Sequence, residues 1–170
     1  HHLDSGVEVI HENFESFIKS HGSKFDYIYL NRPNIAIHYI DLLRRFTNAK
    51  IIYQCHDLHY LRQYRNRMLT DETLAQQLLP TEKQSEYALF NKMDLVCSFS
   101  FDEVQEIRQQ DEYINATQIP LYILDSRDMS QYKYDASLRQ DIMFVAGFQH
   151  TPNIDAALWF VHKVFPQIKQ

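Results

Sequence analysis

Strand-length apolar runs alternate with amphipathic helical stretches along most of this chain, and that rhythm is the tightest constraint on its fold. Residues 25–31 (FDYIYLN), the run around Ile51, Ile52 and Tyr53, residues 94–100 (DLVCSFS) and residues 119–124 (IPLYIL) are rich in β-branched and aromatic side chains, as strands are. GVEVI at 6–10 reads as a further short strand. Between the runs lie helical signals. Phe14, Phe17 and Ile18 stand at i, i+3, i+4, with Gly22 placed as a C-cap. Pro33 suits a first helical turn, Ala36, Ile40 and Leu43 form a stripe, and Arg44 and Arg45 sit at the negative end. Thr70 is placed to cap a helix beginning at Asp71, which Pro80 is expected to break or kink, and residues 81–92 present Tyr87 and Phe90. Residues 101–110 turn Val104 and Ile107 inward. Strands that alternate with helices predict βαβ units, hence an α/β fold: a Rossmann-like parallel sheet with flanking helices on both faces. Pro120 places the run it belongs to near a sheet edge or a strand start.

The rhythm stops at residues 126–140, a polar stretch that reads as a linker between a domain at 1–125 and a second unit at 141–170. There it restarts: IMFV (142–145) as a strand, a turn, and a helix from Pro152 onward, capped by Thr151, with Asp155 near its positive end. Ile154, Leu158, Val161, Phe165 and Ile168 line one face of that helix. One βα unit cannot bury its own apolar surface. It is therefore expected to belong to a second α/β domain, to fold back on the first, or to pair with its copy in a homodimer through the C-terminal helix.

With 170 residues and 45% hydrophobic content the chain can bury a core. Its 17 basic and 22 acidic residues give −5 without blocks of like charge, which disfavours a nucleic-acid partner held by phosphate neutralisation. Cys55 and Cys97 fall in strand-like runs and read as reduced core thiols of a cytoplasmic protein, with a bridge between neighbouring strands as the minority reading. No apolar stretch approaches the ~20 residues that span a bilayer.

The chemistry gathers where the central run ends. AKIIYQCHDLHYLRQYR (49–65) passes abruptly from Ile51–Tyr53 to His56, Asp57 and His59, with Arg62 and Arg65 behind. Open α/β sheets bind ligands outside the carboxyl ends of their strands. His56 can donate or accept near neutrality, or simply be a structural histidine. Asp57 can orient a histidine or cap a turn. Arg62 and Arg65, like Arg32 after the preceding strand, can clamp phosphate oxygens; the plain alternative is a solvated face or a pair with Glu86. His56 and His59 could ligate a metal from one helix face, but nothing else completes a metal set. Ser100 and Glu103 read as a capping box, and a ligand role is the minority reading. Gly147 stands in a strand-to-helix turn where a diphosphate could approach the backbone, with His150 following. Trp159, Phe160 and Phe165 read as core or domain contact rather than as a sugar platform.

Four pieces, FDYIYLNRPNIAIHYI (25–40), AKIIYQCHDLHYLRQYR (49–65), EYALFNKMDLVCSFSFDE (86–103) and DIMFVAGFQHTPNIDAALWFVHKVFPQI (141–168), resemble bacterial glycosyltransferases of the two-domain GT-B architecture, family 4. The resemblance implies a first, acceptor-side domain without its opening strand, and the first βα unit of a nucleotide-sugar-binding second domain. It implies His56 facing the donor sugar, catalytic roles for His56 and Asp57, and substrate contacts from Arg32, His59, Arg62, Arg65, Ser100 and Glu103. Gly147, His150 and Asn153 would meet the nucleotide-sugar. It also implies a glycan or lipid-linked acceptor, polysaccharide biosynthesis, no cofactor or metal, and peripheral membrane contact. Ala146 stands where the family usually carries a second glycine, and the family's donor-holding glutamates are not in this sequence. Turnover is therefore expected of the two-domain protein rather than of these residues alone. A binding or assembly module without catalysis, and a sugar-nucleotide epimerase of the same architecture, are the alternatives.

Overall fold

The computed structural model describes residues 6–120 and 141–168. The chain divides into two compact units, 1–124 and 125–170, and each is described by itself.

The first unit is α/β, with a four-stranded parallel sheet, consistent with a Rossmann-like layer. Its strands are β1 (Tyr27–Asn31), β2 (Lys50–Cys55), β3 (Leu95–Ser98) and β4 (Ala116–Gln118), in spatial order β1-β2-β3-β4. Its helices are α1 (Phe14–His21), α2 (Pro33–Phe46), α3 (His59–Met68), α4 (Glu72–Phe90) and α5 (Phe101–Gln110). Spatial order repeats sequence order, and parallel crossovers are right-handed. Successive crossovers of one hand, stepping in one direction, lay every connecting helix on the same face. The burial shows it. Ile51, Tyr53, Cys55, Val96 and Ala116 share one face and cluster with Ala36, Ile40 and Leu43 of α2, Tyr60 of α3, Tyr87 and Phe90 of α4 and Val104 and Ile107 of α5. Ile18 of α1 joins that cluster. On the other face Tyr27 and Tyr29 are 69% and 59% exposed. The expected covering of both faces is thus corrected: among the described residues, helices cover one.

The same alternation settles the cysteines. Gln54 pairs with Cys97 and Cys55 with Ser98, so the two thiols point to opposite faces and both are free and buried.

Several local expectations shift. GVEVI forms no strand; Val7, Val9 and Ile10 are exposed there, because an extended segment becomes a strand only when a neighbour takes its hydrogen bonds. Gly22 takes the C-cap position of α1 as expected, its N–H donating to the Ile18 carbonyl, but not in a left-handed conformation. Its φ is −55° and the chain runs on into a 3-10 turn, Gly22–Lys24. What requires glycine is space, since a Cβ would strike the Phe46 carbonyl. Asp71, not Thr70, caps α4, accepting from the Leu74 N–H at 3.0 Å. Pro80 does not break α4, which runs through it for 19 residues. Proline forfeits a helix hydrogen bond, but Ala75 on one side and Tyr87, Leu89 and Phe90 on the other are buried and hold both halves in line. A strand that the sequence did not suggest forms at Ala116–Gln118; of the run expected at 119–124, Ile119 and Pro120 are not in a strand and residues 121–124 lie outside the described part, as do residues 126–140.

Away from the strand ends that carry His56, Asp94 ties the sheet to α2. It accepts the Ile51 N–H at 2.8 Å and pairs with Arg44 at 2.8 Å and Lys50 at 3.2 Å. Burial pushes its carboxyl upward, but these donors outweigh it and hold it below the usual value.

In the second unit, α6 (Thr151–Trp159) passes through a π-helical turn, Phe160–Val164, into α7 (Phe165–Ile168). His150 takes the N-cap position and Thr151 is already helical, one residue before the expected start. IMFV forms no strand, for the same want of a hydrogen-bonding neighbour. None of residues 141–168 is buried, so the core reading of Trp159 and Phe165 does not hold within this unit; only Phe160 of the three is half-buried. No helix among the described residues is long and apolar enough to cross a membrane.

Candidate functional site

β1, β2 and β3 end side by side, and their carboxyl ends deliver Arg32, His56–Leu58 and Phe99–Ser100 to one rim. Sequence reasoning delimited no helix between His56 and Asp71. Instead α3 begins at His59, and its Leu58, Leu61, Arg62 and Arg65 recur at helical spacing on one side. That side faces Asp102, Glu103 and Glu106 of α5 across a cavity of about 520 Å³, lined also by Asp57 and Ser100. A second cavity of about 300 Å³ lies at the ends of β1 and β2, lined by Arg32, Asn34, His56, Asp57, His59 and Arg62. Asp57 and Arg62 line both, so their ion pair, at 3.0 Å, is the wall between them.

Two carboxylates fix the rim from behind. Glu86 of α4 accepts the N–H groups of His59 at 3.1 Å and Tyr60 at 2.8 Å. These are first-turn donors of α3, which has no side-chain cap of its own. Glu103 accepts the Leu58 N–H at 3.0 Å and the Ser98 hydroxyl at 2.6 Å. The expected capping box is therefore half present. Ser100 Oγ accepts from the Glu103 N–H at 3.4 Å, but the Glu103 side chain reaches the β2 loop instead, and Ser98 Oγ takes the Ser100 N–H. Glu86 is 7% exposed, and burial pushes its carboxyl above the usual range, against the pull of the Tyr60 and His59 N–H groups. It is no surface partner for Arg62 or Arg65, as the plain alternative had it.

Asp57 also accepts from His59, at 3.2 Å from Nε2, while Nδ1 of that ring stands 3.3 Å from Arg62 Nη2. A guanidinium only donates, so Nδ1 accepts, and the proton is on Nε2 facing Asp57. His59 is thus a neutral, oriented imidazole. Burial, with Arg62 beside it, holds its pKa below the ordinary value, although Asp57 pulls the other way. His56 lies in the turn before α3, so the two histidines do not share a helix face. Its ring is exposed at the rim, edge-on to Phe99 at 5.6 Å.

Arg32 carries a φ of 65°, the one non-glycine residue in the left-handed region among those described. Arg44, Arg62 and Arg67 are engaged by Asp94, Asp57 and Glu82; among the described residues no ion pair engages Arg32 or Arg65. Each of the two cavities therefore holds one guanidinium without an ion pair among the described residues. Glu106 is already occupied, by the Tyr60 hydroxyl at 2.8 Å and Lys83 at 3.1 Å, which together hold it below the usual carboxylate range.

The structure thus gathers Arg32, His56, Asp57, His59, Arg62, Arg65, Ser100 and Glu103 on one rim. The residues that sequence reasoning did not single out there are Asn34, Asp102 and Glu106; Glu86, behind them, it named only as a pair for Arg62 or Arg65. Glu86 had a readable signal: it stands seven residues after Leu79 and four before Phe90, on the apolar stripe of α4.

In the second unit Gly147, His150 and Asn153 form one turn. The Gly147 carbonyl accepts the His150 N–H at 3.1 Å and the Asn153 amide at 3.0 Å. A Cβ on Gly147 would meet open space, so the turn itself does not demand glycine.

No family model, no curated protein and no solved structure matches the chain.

Proposed function

We propose that this chain is part of a glycosyltransferase of the GT-B kind, its first unit forming the acceptor-side layer for transfer of a sugar from a nucleotide-sugar to a glycan or lipid-linked acceptor. The observation that carries the reading is the rim: two adjoining cavities at the carboxyl ends of parallel strands, each with an arginine that no ion pair engages among the described residues, divided by the Asp57–Arg62 pair, with His56 exposed beside them. A leaving nucleoside diphosphate gains negative charge in the transition state. Arg32 and Arg65, which no ion pair engages among the described residues, can donate to charge of that kind, and His56 can hydrogen-bond a sugar hydroxyl or a phosphate oxygen. Asp57 is held by both His59 and Arg62, so its part is to orient these two rather than to take a proton. That commitment also favours, as the second reading, a binding module without turnover.

The test is a titration of the isotopically labelled 170-residue chain with UDP, GDP and their sugars, followed by amide NMR. Chemical-shift changes confined to Arg32, residues 56–65 and Ser100, and lost in the His56→Ala, Arg62→Ala double variant, support the proposal. Perturbation elsewhere, or none at millimolar ligand, refutes it. Localised binding without donor hydrolysis or transfer in the full two-domain protein selects the module.

A further inference from the structure

His59 Nδ1 stands 3.3 Å from Arg62 Nη2, and its Nε2 stands 3.2 Å from Asp57. The ring accepts on one side and donates on the other, as only a neutral imidazole does. A second proton has one place to go, Nδ1, where it would face a guanidinium with no lone pair to receive it. Two cations would then stand at hydrogen-bond distance, and one of them must move. His59 is fixed at both ends, its backbone N–H by Glu86 at 3.1 Å and its Nε2 by Asp57. The Arg62 side chain is long, 57% exposed, and lines both rim cavities, so it is the group that yields. The other charges around the ring leave this exchange intact. Arg32 from the end of β1 and His56 from the end of β2 line the same 300 Å³ cavity. From α4, Glu86 is spent on the His59 and Tyr60 N–H groups, and Glu82 on Arg67 at 2.6 Å. Asp57, which touches both His59 and Arg62, is the carboxylate that can pass from one to the other.

We propose that the rim binds a dianion of the phosphate or sulfate kind together with one proton from solvent: the proton settles on His59 Nδ1, Asp57 pairs with the imidazolium, and Arg62, released by both, turns to the anion beside Arg32. Burial and the adjacent guanidinium hold the ring neutral beforehand. Drawing Arg62 away removes the second of these causes, so anion and proton each favour the other, and by the same factor. The Asp57–Arg62 pair that walls off the two cavities is then a latch, closed while His59 is neutral. The inference rests on the transferase reading only for its consequence: there, a diphosphate is held more tightly below neutral pH.

The experiment is calorimetric titration of the chain with sulfate, which stays a dianion between about pH 5 and pH 8, in buffers of different ionisation enthalpy. The buffer-dependent heat is expected to report proton uptake on binding, and the affinity to rise by up to about tenfold for each unit the pH is lowered, the limit for one linked proton. In the natural chain, sulfate is expected to move the His59 ring-nitrogen resonances toward those of an imidazolium. His59→Gln keeps a donor and an acceptor but does not titrate, and is expected to abolish the uptake. His56→Gln is expected to weaken sulfate binding without abolishing the uptake. No sulfate binding at pH 5, binding without proton uptake, uptake that survives His59→Gln, or uptake that vanishes in His56→Gln overturns the inference. Sulfate-linked uptake in a protein that ignores every nucleotide-sugar would retain the latch and remove the transferase reading; nucleotide-sugar binding without proton uptake would remove only the latch.

Discussion

Replacing Glu86 by alanine in the full chain removes two acceptors at once. The N–H groups of His59, at 3.1 Å, and Tyr60, at 2.8 Å, lose their partner, and Tyr60 is only 2% exposed, so water does not replace it. Hydrogen bonds to a charged acceptor contribute about 1.5–3 kcal/mol each, roughly 3–6 kcal/mol for the pair. The cost of holding a carboxylate in this interior, visible in its raised pKa, offsets part of that. A net loss of about 2–4 kcal/mol is expected for Glu86→Ala, and about 1–2 kcal/mol for Glu86→Gln, which keeps one acceptor oxygen. Urea unfolding followed by circular dichroism reads both as lowered midpoints at constant m-value. The pH dependence has a definite sign. A carboxyl raised in the folded state holds more protons folded than unfolded, so its contribution makes stability fall as pH climbs from the ordinary value near 4.5 through the raised one. Glu86→Gln removes that titration, so the advantage of the natural chain over this variant should be largest below pH 4.5 and shrink as the pH rises through the raised value. An unchanged midpoint for Glu86→Ala would refute the claim that this carboxylate clamps the rim. Parallel pH curves for the natural chain and Glu86→Gln would refute the burial argument.

Pro80→Ala should raise the melting temperature, by a stabilisation on the order of 1–3 kcal/mol, because Pro80 is exposed and α4 already continues through it. An unchanged or lowered value would mean that proline shapes the helix. Gly22→Ala should destabilise by about 1–3 kcal/mol, since the added methyl meets the Phe46 carbonyl rather than a flexible side chain, and equilibrium unfolding of this variant measures the cost directly.

Local patterning carried much of the first unit. The stripe Ala36, Ile40, Leu43 is the buried face of α2, Pro33 opens that helix, α5 spans Phe101–Gln110, and β1, β2 and β3 run parallel where the apolar runs lie. These features rest on short-range causes: periodicity, capping and the φ of proline. Where a feature needed a distant partner, the sequence misled. Residues 6–10 and 142–145 have strand composition but no ladder among the described residues. Pro80 would break an isolated helix, yet flanking contacts hold α4 together. Gly22 does cap α1, but what demands glycine there is Phe46, far along the chain.

The candidate site divides in the same way. The residue types were readable: His56, Asp57, His59, Arg62 and Arg65 follow a strand, and strand ends in α/β sheets face ligands. Their commitments were not. That Asp57 is spent on His59 and Arg62, that Glu103 leaves its own helix for Leu58 and Ser98, and that Arg32 and Arg65 stay unengaged by any ion pair among the described residues are outcomes of side chains meeting across β2, α3, α4 and α5. The amino-acid order alone determined which segments are strands or helices wherever neighbours within a turn decide the matter, and which polar groups each strand end delivers. Tertiary structure alone decided which face the helices cover and which charges cancel, because a hydrogen bond or an ion pair depends on distance in space, and chain order does not encode that distance residue by residue.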